Sequence, residues 1–257
     1  MNYRRTAVAS NFSPTFAAVL AEADRFASHC GSELEVIHVA GHDEEKEKRF
    51  HEALGRPTEI RWLESETPGP AIVNAANEYA YDLLIAGALH REDGERPFTS
   101  GVARELLRRT PCDLLLLPRP MEGEQPIRHV VFALEPGKDI SLFVHRGVEV
   151  LKPHRVTIVT PVTPFAAAIA ATKGEKSQSA EVWLDLLAAE LAECKVEVDT
   201  LPVSSNTGYN LCDVIEGLGA DLLVIKAGRD LKTSTLPIHM DWLYQVIPTR
   251  LLVVRTA

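Results

Sequence analysis

The stretch DLLIAGAL, residues 82–89, has a close counterpart later in the chain, DLLVIKAG at residues 221–228. Both runs are apolar at consecutive positions, which is typical of a strand that helices cover on both faces. Each run precedes a polar loop, an amphipathic stretch, a proline and another apolar run: GVARELLRRTP then CDLLLLPR in the first copy, MDWLYQVIP then TRLLVVR in the second. The chain therefore carries one structural unit twice.

The segments before the two runs also match. In the first half we predict a short strand and then a helix with Ser13 as N-cap, Pro14 at the first helical position and Gly31 as its stop. The second half has an equivalent apolar helical stripe over residues 140–151. The strands that follow are predicted at 34–40 and 156–162.

Strand and helix alternate through each half, which predicts five parallel strands and about four helices per half with right-handed connections. The segment RPMEGEQP, residues 119–126, contains two prolines and a glycine and is the predicted linker. We therefore expect an α/β protein with one domain over residues 1–120 and a second over 126–257. Each domain is expected to have a five-stranded sheet of its own.

Composition narrows the function classes. The chain has 27 Lys and Arg against 36 Asp and Glu, a net charge of −9, and no basic stripe, so we expect no nucleic-acid partner. Cys30, Cys112, Cys194 and Cys212 lack CxxC spacing and are expected to be free thiols in a reducing compartment. Because no apolar run approaches about 18 residues and no export signal is evident, we expect a cytoplasmic protein without a membrane partner.

Four motifs together resemble the universal stress protein family in its tandem form. They are ASNFSP at 9–14, a strand ending in His38-Val39, TPGPAIV at 67–73, and the first DLL run with the SGVARELLRRTPCDLLLLP that follows it. The resemblance covers nearly the whole chain. It implies two flavodoxin-like (Rossmann-like) domains, each with a parallel sheet of order 3-2-1-4-5 and helices on both faces, whose fifth strands pair with each other.

Members of this family that bind ATP carry Gly-x2-Gly-x9-Gly-Ser/Thr after the fourth strand. In this chain Gly87 holds the first glycine, His90 replaces the second, and Ser100-Gly101 replaces the last pair. Asn11 stands where the family has an acidic residue after strand one. The resemblance places base and ribose at one end of the site and phosphates at the other. The residues are Ala9, Asn11 and Val39 for the former, and Gly87, His90, Ser100, Gly101 and Val102 for the latter.

The second half departs further from the nucleotide motif. Lys226, Arg229 and Pro237-Ile238 occupy the glycine positions, and Glu135 occupies the acidic one. We expect no nucleotide there. In the first half, His90 crowds the loop and the acids at 92, 93 and 95 repel phosphate, so ATP is expected to bind no more tightly than AMP.

Catalytic motifs are missing from the sequence: there is no GxSxG, HExxH or GxxxxGK[ST]. His42 and His51 are nine apart and do not share a helical face, so we expect no metal site. We interpret the chain as a non-catalytic stress-response protein that senses a small ligand or binds an unknown protein partner. No cofactor is certain, and the first domain is compatible with ATP or AMP. Slow ATP hydrolysis in the first domain, a purely structural interaction role, and a homodimer remain open.

Overall fold

The computed structural model describes residues 1–90, 98–120, 123, 126–137, 139–162, 180–204, 209–228, 236 and 240–256. The strands are β1 Arg5–Ala9, β2 Glu33–His38, β3 Ile60–Trp62, β4 Leu83–Gly87, β5 Leu89–His90, β6 Phe98–Thr99, β7 Asp113–Leu117, β8 His129–Ala133, β9 Arg155–Val162, β10 Glu197–Ser204, β11 Leu222–Gly228 and β12 Arg250–Thr256. The α-helices are α1 Phe16–Cys30, α2 Glu44–Leu54, α3 Pro68–Glu78, α4 Gly101–Arg109, α5 Ile140–Leu151, α6 Ala180–Leu191 and α7 Tyr209–Gly217. Short 3-10 helices lie at Ala192–Cys194 and Asp241–Tyr244.

Ten strands form one sheet of order β10-β9-β8-β11-β12-β7-β4-β1-β2-β3. Within each half the strands are parallel and follow the order 3-2-1-4-5, so the predicted α/β fold class is confirmed. The predicted pairing of the fifth strands is confirmed, because β7 and β12 pair antiparallel; this pairing joins the two five-stranded sheets into one, so the expectation that each half keeps a separate sheet is wrong. An additional two-stranded pair, β5 and β6, lies between β4 and α4.

The junction of the two halves is apolar. Leu251 lies opposite Leu116, and Leu252 opposite Leu115, in the antiparallel register, and all four side chains are buried. A strand edge of this composition would otherwise be a template for aggregation. Pairing the two edges within one chain removes both of them from solvent.

Helices cover both faces of the sheet. On one face, side chains from α1, α2, α5 and α6, such as Val19, Phe50 and Leu184, share an apolar core that runs through both halves. On the other face, α3, α4 and α7 pack with the 3-10 helix at 241–244. Among the residues described, no helix is both long and apolar enough to span a membrane.

Helix α1 begins later than the sequence predicts. Its N-cap is Thr15, and Ser13 instead accepts a hydrogen bond from the Phe16 backbone N–H, 3.0 Å away, in a turn before the helix. The cause is tertiary, since Phe12 packs against the rings of Phe16 and Phe50 and draws the chain into this turn. The predicted stop is confirmed: Gly31 has φ 67°, in the left-handed region that glycine adopts without strain.

The stretch MDWLYQVIP, the second-half counterpart of α4, forms only the four-residue 3-10 helix Asp241–Tyr244. Trp242 and Leu243 in this short helix are buried, and they share the apolar core with Leu106 and Leu107 of α4. The amphipathic pattern and the expected count of about four helices per half predicted a helix here. The segment instead packs between the halves, and burial there outweighs helix propensity.

Candidate functional site at the carboxyl ends of β1 and β4

Strands β1 and β4 are parallel neighbours, with Ala9 opposite Ala86. The chain leaves β1 toward β2 on one side and leaves β4 toward β7 on the other. Connections that diverge in this way open a crevice at the carboxyl ends of the strands, where doubly wound proteins bind their ligands. Ala9 and Gly87 therefore lie side by side at this edge, as the predicted site requires.

Asn11 follows β1 and is exposed. Its side-chain oxygen accepts a hydrogen bond from the Ser13 backbone N–H, 3.2 Å away, a turn that asparagine favours. The carboxamide nitrogen can still donate to a ligand. Asn11 is thus both a local turn former and a candidate donor to a ribose or a base edge.

Val39 follows β2 and packs against the apolar core on the α3 and α4 face of the sheet. The neighbouring residue His38 is buried and points to the opposite face, where its Nδ1–H donates to the Ser10 carbonyl over 2.9 Å. Since Ser10 N–H also donates to Ile37, at 3.0 Å, two hydrogen bonds join the chain after β1 to the end of β2. His38 therefore has a structural role at this edge.

The N-terminus of α4 opens at the same edge. Ser100 is the N-cap: its hydroxyl accepts a hydrogen bond from the Ala103 N–H at 3.1 Å. The Ser100 N–H donates to the Ala88 carbonyl at 2.9 Å, which ties the start of α4 to the end of β4. Gly101 is exposed and Val102 half-buried. The first amides of a helix lack partners within it and carry partial positive charge, so this end suits an anion.

The connection between β4 and α4 differs from an open glycine loop. Leu89 and His90 pair antiparallel with Thr99 and Phe98, so both ends of the connection are held in a short ladder. Residues 91–97, including the acids that we expect to repel phosphate, lie outside the described residues. Because the backbone at position 90 belongs to a β-ladder, it has less freedom to wrap a chain of phosphates.

The equivalent edge of the second half is built differently. Lys226 and Gly228 belong to β11, and Lys226 lies opposite Val254 of β12. Glu135 is exposed after β8. Positions 229, 237 and 238 lie outside the described residues. The described chain between β11 and β12 contains the buried Leu236 and the 3-10 helix, with no α-helix to present free amides.

The side chains considered for a metal have separate partners. His42 pairs with Glu47 at 2.8 Å, Asp43 caps α2 by accepting from the Lys46 N–H at 3.0 Å, and His51 contacts the Thr58 carbonyl at 3.1 Å. A surface hollow of about 690 Å³ lies along the outer side of α2 and is lined mainly by charged residues. It is separate from the crevice between β1 and β4.

Sequence reasoning missed the second half's contribution to this site. Thr99, next to the α4 N-cap, donates its N–H to the Gln245 carbonyl at 2.9 Å and its hydroxyl to the Leu243 carbonyl at 3.2 Å. These acceptors are backbone atoms far away in sequence, so no motif or spacing signals them.

The fold and this edge define the class of doubly wound α/β proteins, with a crevice at the carboxyl ends of two neighbouring strands. Residues 40–118 match the universal stress protein family. Over this segment the match confirms the resemblance that the sequence motifs predicted. No protein with a curated description matches the chain.

Solved structures extend the likeness to the full length. A universal stress protein from Archaeoglobus fulgidus DSM 4304 is 14% identical with a TM-score of 0.70, and the alignment covers 100% of both chains. A protein assigned provisionally to the same family, from Pseudomonas aeruginosa UCBPP-PA14, also gives 14% and 0.70, covering 98% of this chain and 93% of its own. A universal stress protein in complex with cAMP is 21% identical over 46% of this chain and 98% of its own, with a TM-score of 0.36. The two full-length structural matches show that this chain has the same fold as those two proteins.

Proposed function

We propose that this protein is a non-catalytic universal stress protein that binds a small adenine nucleotide, with AMP as its best probe, at the crevice between β1 and β4 of the first half. The observation that carries the proposal is the capped N-terminus of α4. Ser100 ties it to Ala88, directly after β4, at the sheet edge where β1 also ends and Asn11 follows. A helix N-terminus next to a donor for ribose or base matches a nucleoside monophosphate.

A monophosphate suits this edge better than a triphosphate. One phosphate group can be met by the first amides of α4 alone. A triphosphate needs further backbone donors from the connection before α4, and that connection is paired at Leu89–His90 and Phe98–Thr99. The sequence between these two paired segments contains three acidic residues, at positions 92, 93 and 95, which repel additional phosphate groups.

The absence of catalysis is part of the proposal. Among the described side chains at this edge, the candidate ligand contacts are the amide of Asn11 and the hydroxyl of Ser100, which already caps α4. Neither group is basic enough to activate water. His38 is buried on the other face with its Nδ1 bonded to the Ser10 carbonyl. The protein would respond to its ligand by a change in shape or partner binding.

Isothermal calorimetry with adenosine, AMP and Mg-ATP tests this function. We expect one AMP per chain, with ATP binding no more tightly than AMP. Tight Mg-ATP binding would replace the proposal with an ATP-binding protein, and release of ADP at a rate that depends on the protein's concentration would add slow ATP hydrolysis. Binding of none of the three would leave the family's structural interaction role as the better description.

A further inference from the structure

The second half holds the edge of the first half's candidate site. Thr99 is 4% exposed, and both of its donors end on the second half: N–H on the Gln245 carbonyl at 2.9 Å, hydroxyl on the Leu243 carbonyl at 3.2 Å. Arg108 of α4 stacks on Tyr244, 4.9 Å from the ring centroid. The short segment 243–245 therefore contacts α4 and the strand that leads into it.

The same segment is also tied to the second half's own carboxyl edge. Tyr209 is the first residue of α7, which follows β10, and its hydroxyl donates to the side-chain oxygen of Gln245 at 2.6 Å. Tyr209 is 39% exposed, so a partner or ligand at this edge can reach it. Gln245 thus lies between the α7 N-terminus and the Thr99 backbone.

On the first-half side, the contacts continue from Thr99 to the start of α4. Thr99 is followed directly by Ser100, whose N–H donates to Ala88 and whose hydroxyl caps α4 at Ala103. A displacement of Gln245 would therefore move the strand that carries the α4 N-cap. Gly101 and Val102, whose amides we assign to the ligand's phosphate, follow Ser100 directly.

We propose that Tyr209 and Gln245 are positioning residues for the first half's ligand site, so that the second half sets the position of the first turn of α4. This inference rests on the proposed function for its biological meaning, since it assigns a control to that same site. It gives the second half a role in ligand binding although that half takes no nucleotide itself. Contact between α7 and a partner would then change ligand affinity some distance away.

Hydrogen exchange measured on the whole protein without ligand tests the positioning directly. Tyr209→Phe removes one hydroxyl from an exposed ring. Tyr244→Phe is the matched control, because it removes a hydroxyl from the adjacent 3-10 helix and keeps the ring on which Arg108 stacks. We expect amide exchange at residues 99–103 to be at least fivefold faster in Tyr209→Phe than in Tyr244→Phe, with the same thermal midpoint. Equal exchange in the two variants, or faster exchange spread evenly over the chain, would overturn the proposal.

AMP titration separates this inference from the proposed function. If the natural protein binds AMP, Tyr209→Phe should weaken binding about threefold or more and Tyr244→Phe should leave it unchanged. Equal affinities in both variants would contradict control of the ligand site. If the natural protein does not bind AMP, the proposed function fails, and the exchange experiment still decides whether Tyr209 positions α4.

Discussion

The connection from fourth to fifth strand differs between the two halves, although both have the same strand order. In the first half it contains α4, nine residues long, with a serine N-cap and an exposed glycine at its first position. In the second half its described part contains a four-residue 3-10 helix whose Trp242 and Leu243 are buried. One connection presents a helix end at the strand edge, and the other packs against its neighbour. Under the proposed function, the first copy of the fold binds a ligand and the second supports it.

The fifth strand of the second half, β12, also contacts α4, near the helix C-terminus. Arg255 of β12 is buried, and its guanidinium donates to the Leu107 carbonyl near the C-terminus of α4 and to the Gly228 carbonyl. Burial lowers the pKa of Arg255 below its ordinary value, yet a cation at a helix C-terminus complements the helix dipole. Its backbone N–H donates to Asp113 of β7 at 2.8 Å. Both ends of α4 therefore depend on second-half residues.

The first prediction concerns an ion pair that joins the two halves. Glu22 of α1 and Arg250 of β12 form a buried ion pair between them, with side chains 7% and 13% exposed. Glu22→Gln removes the carboxylate charge that faces Arg250 at this largely buried junction, and we expect the free energy of unfolding to fall by about 3 kcal/mol. The control is Asp24→Asn, which removes an ion pair to Arg56 that is far more exposed and should cost under about 1 kcal/mol. Urea denaturation measures both, and equal losses would contradict a buried junction.

The second prediction tests the open helix end. Gly101→Asp places a carboxylate at the first position of α4, where a ligand phosphate would lie. We expect AMP affinity to fall at least about tenfold, since like charges repel at short range. Gly101→Ala is the control at the same position: a Cβ there meets nothing within 4 Å, so binding should be retained. Calorimetry that finds equal affinity in the two variants would place the phosphate elsewhere.

Sequence alone predicts most of the strands and helices, because periodicity and caps such as Gly31 are local signals. It fails where distant contacts decide. Phe12 packs on aromatic side chains from α1 and α2 and delays the start of α1. Burial of Trp242 between the halves replaces an expected helix with a 3-10 turn. The Thr99 contact to Gln245 joins backbone atoms across the two halves, and backbone acceptors leave no trace in residue identity.

The third prediction contrasts titratable groups of the two halves. Burial, and then the nearby Arg155, lower the pKa of His129 below its ordinary 6.5, and its Nε2 lies 2.8 Å from the Thr157 hydroxyl. Asp221 and Asp199 also face this histidine and partly offset the shift. Below about pH 6.5 the unfolded chain takes up a proton that folded His129 resists, so stability falls as the pH drops. His129→Gln should flatten this dependence between pH 7 and 5.5 in urea denaturation.

The first half contributes acid sensitivity at lower pH. Burial raises the pKa of Glu35, but hydrogen bonds from Tyr81, Arg5 and Arg61 outweigh it, and the pKa lies below the ordinary 4.5. Ionised Glu35 therefore stabilises the folded protein fully above pH 4.5, and this stabilisation is lost as the pH falls through the lowered pKa. Glu35→Gln should therefore leave the slope between pH 7 and 5.5 unchanged. An altered slope in that window would show that His129 is not the one group responsible and that Glu35 contributes to it.

The last prediction has the smallest effect and sharpens the comparison most. Lys226 is the charged residue that the second half places where the family pattern has its first glycine. If positive charge alone sufficed to bind phosphate, that half would take a second ligand and Lys226→Ala would remove it. The described chain beyond β11 has a 3-10 helix in place of α4, so its described residues present no α-helix N-terminus to a phosphate. We expect calorimetry to give one AMP per chain in both proteins, with dissociation constants within about twofold. A stoichiometry of two that falls to one in Lys226→Ala would show that the second half binds nucleotide and is more than a support.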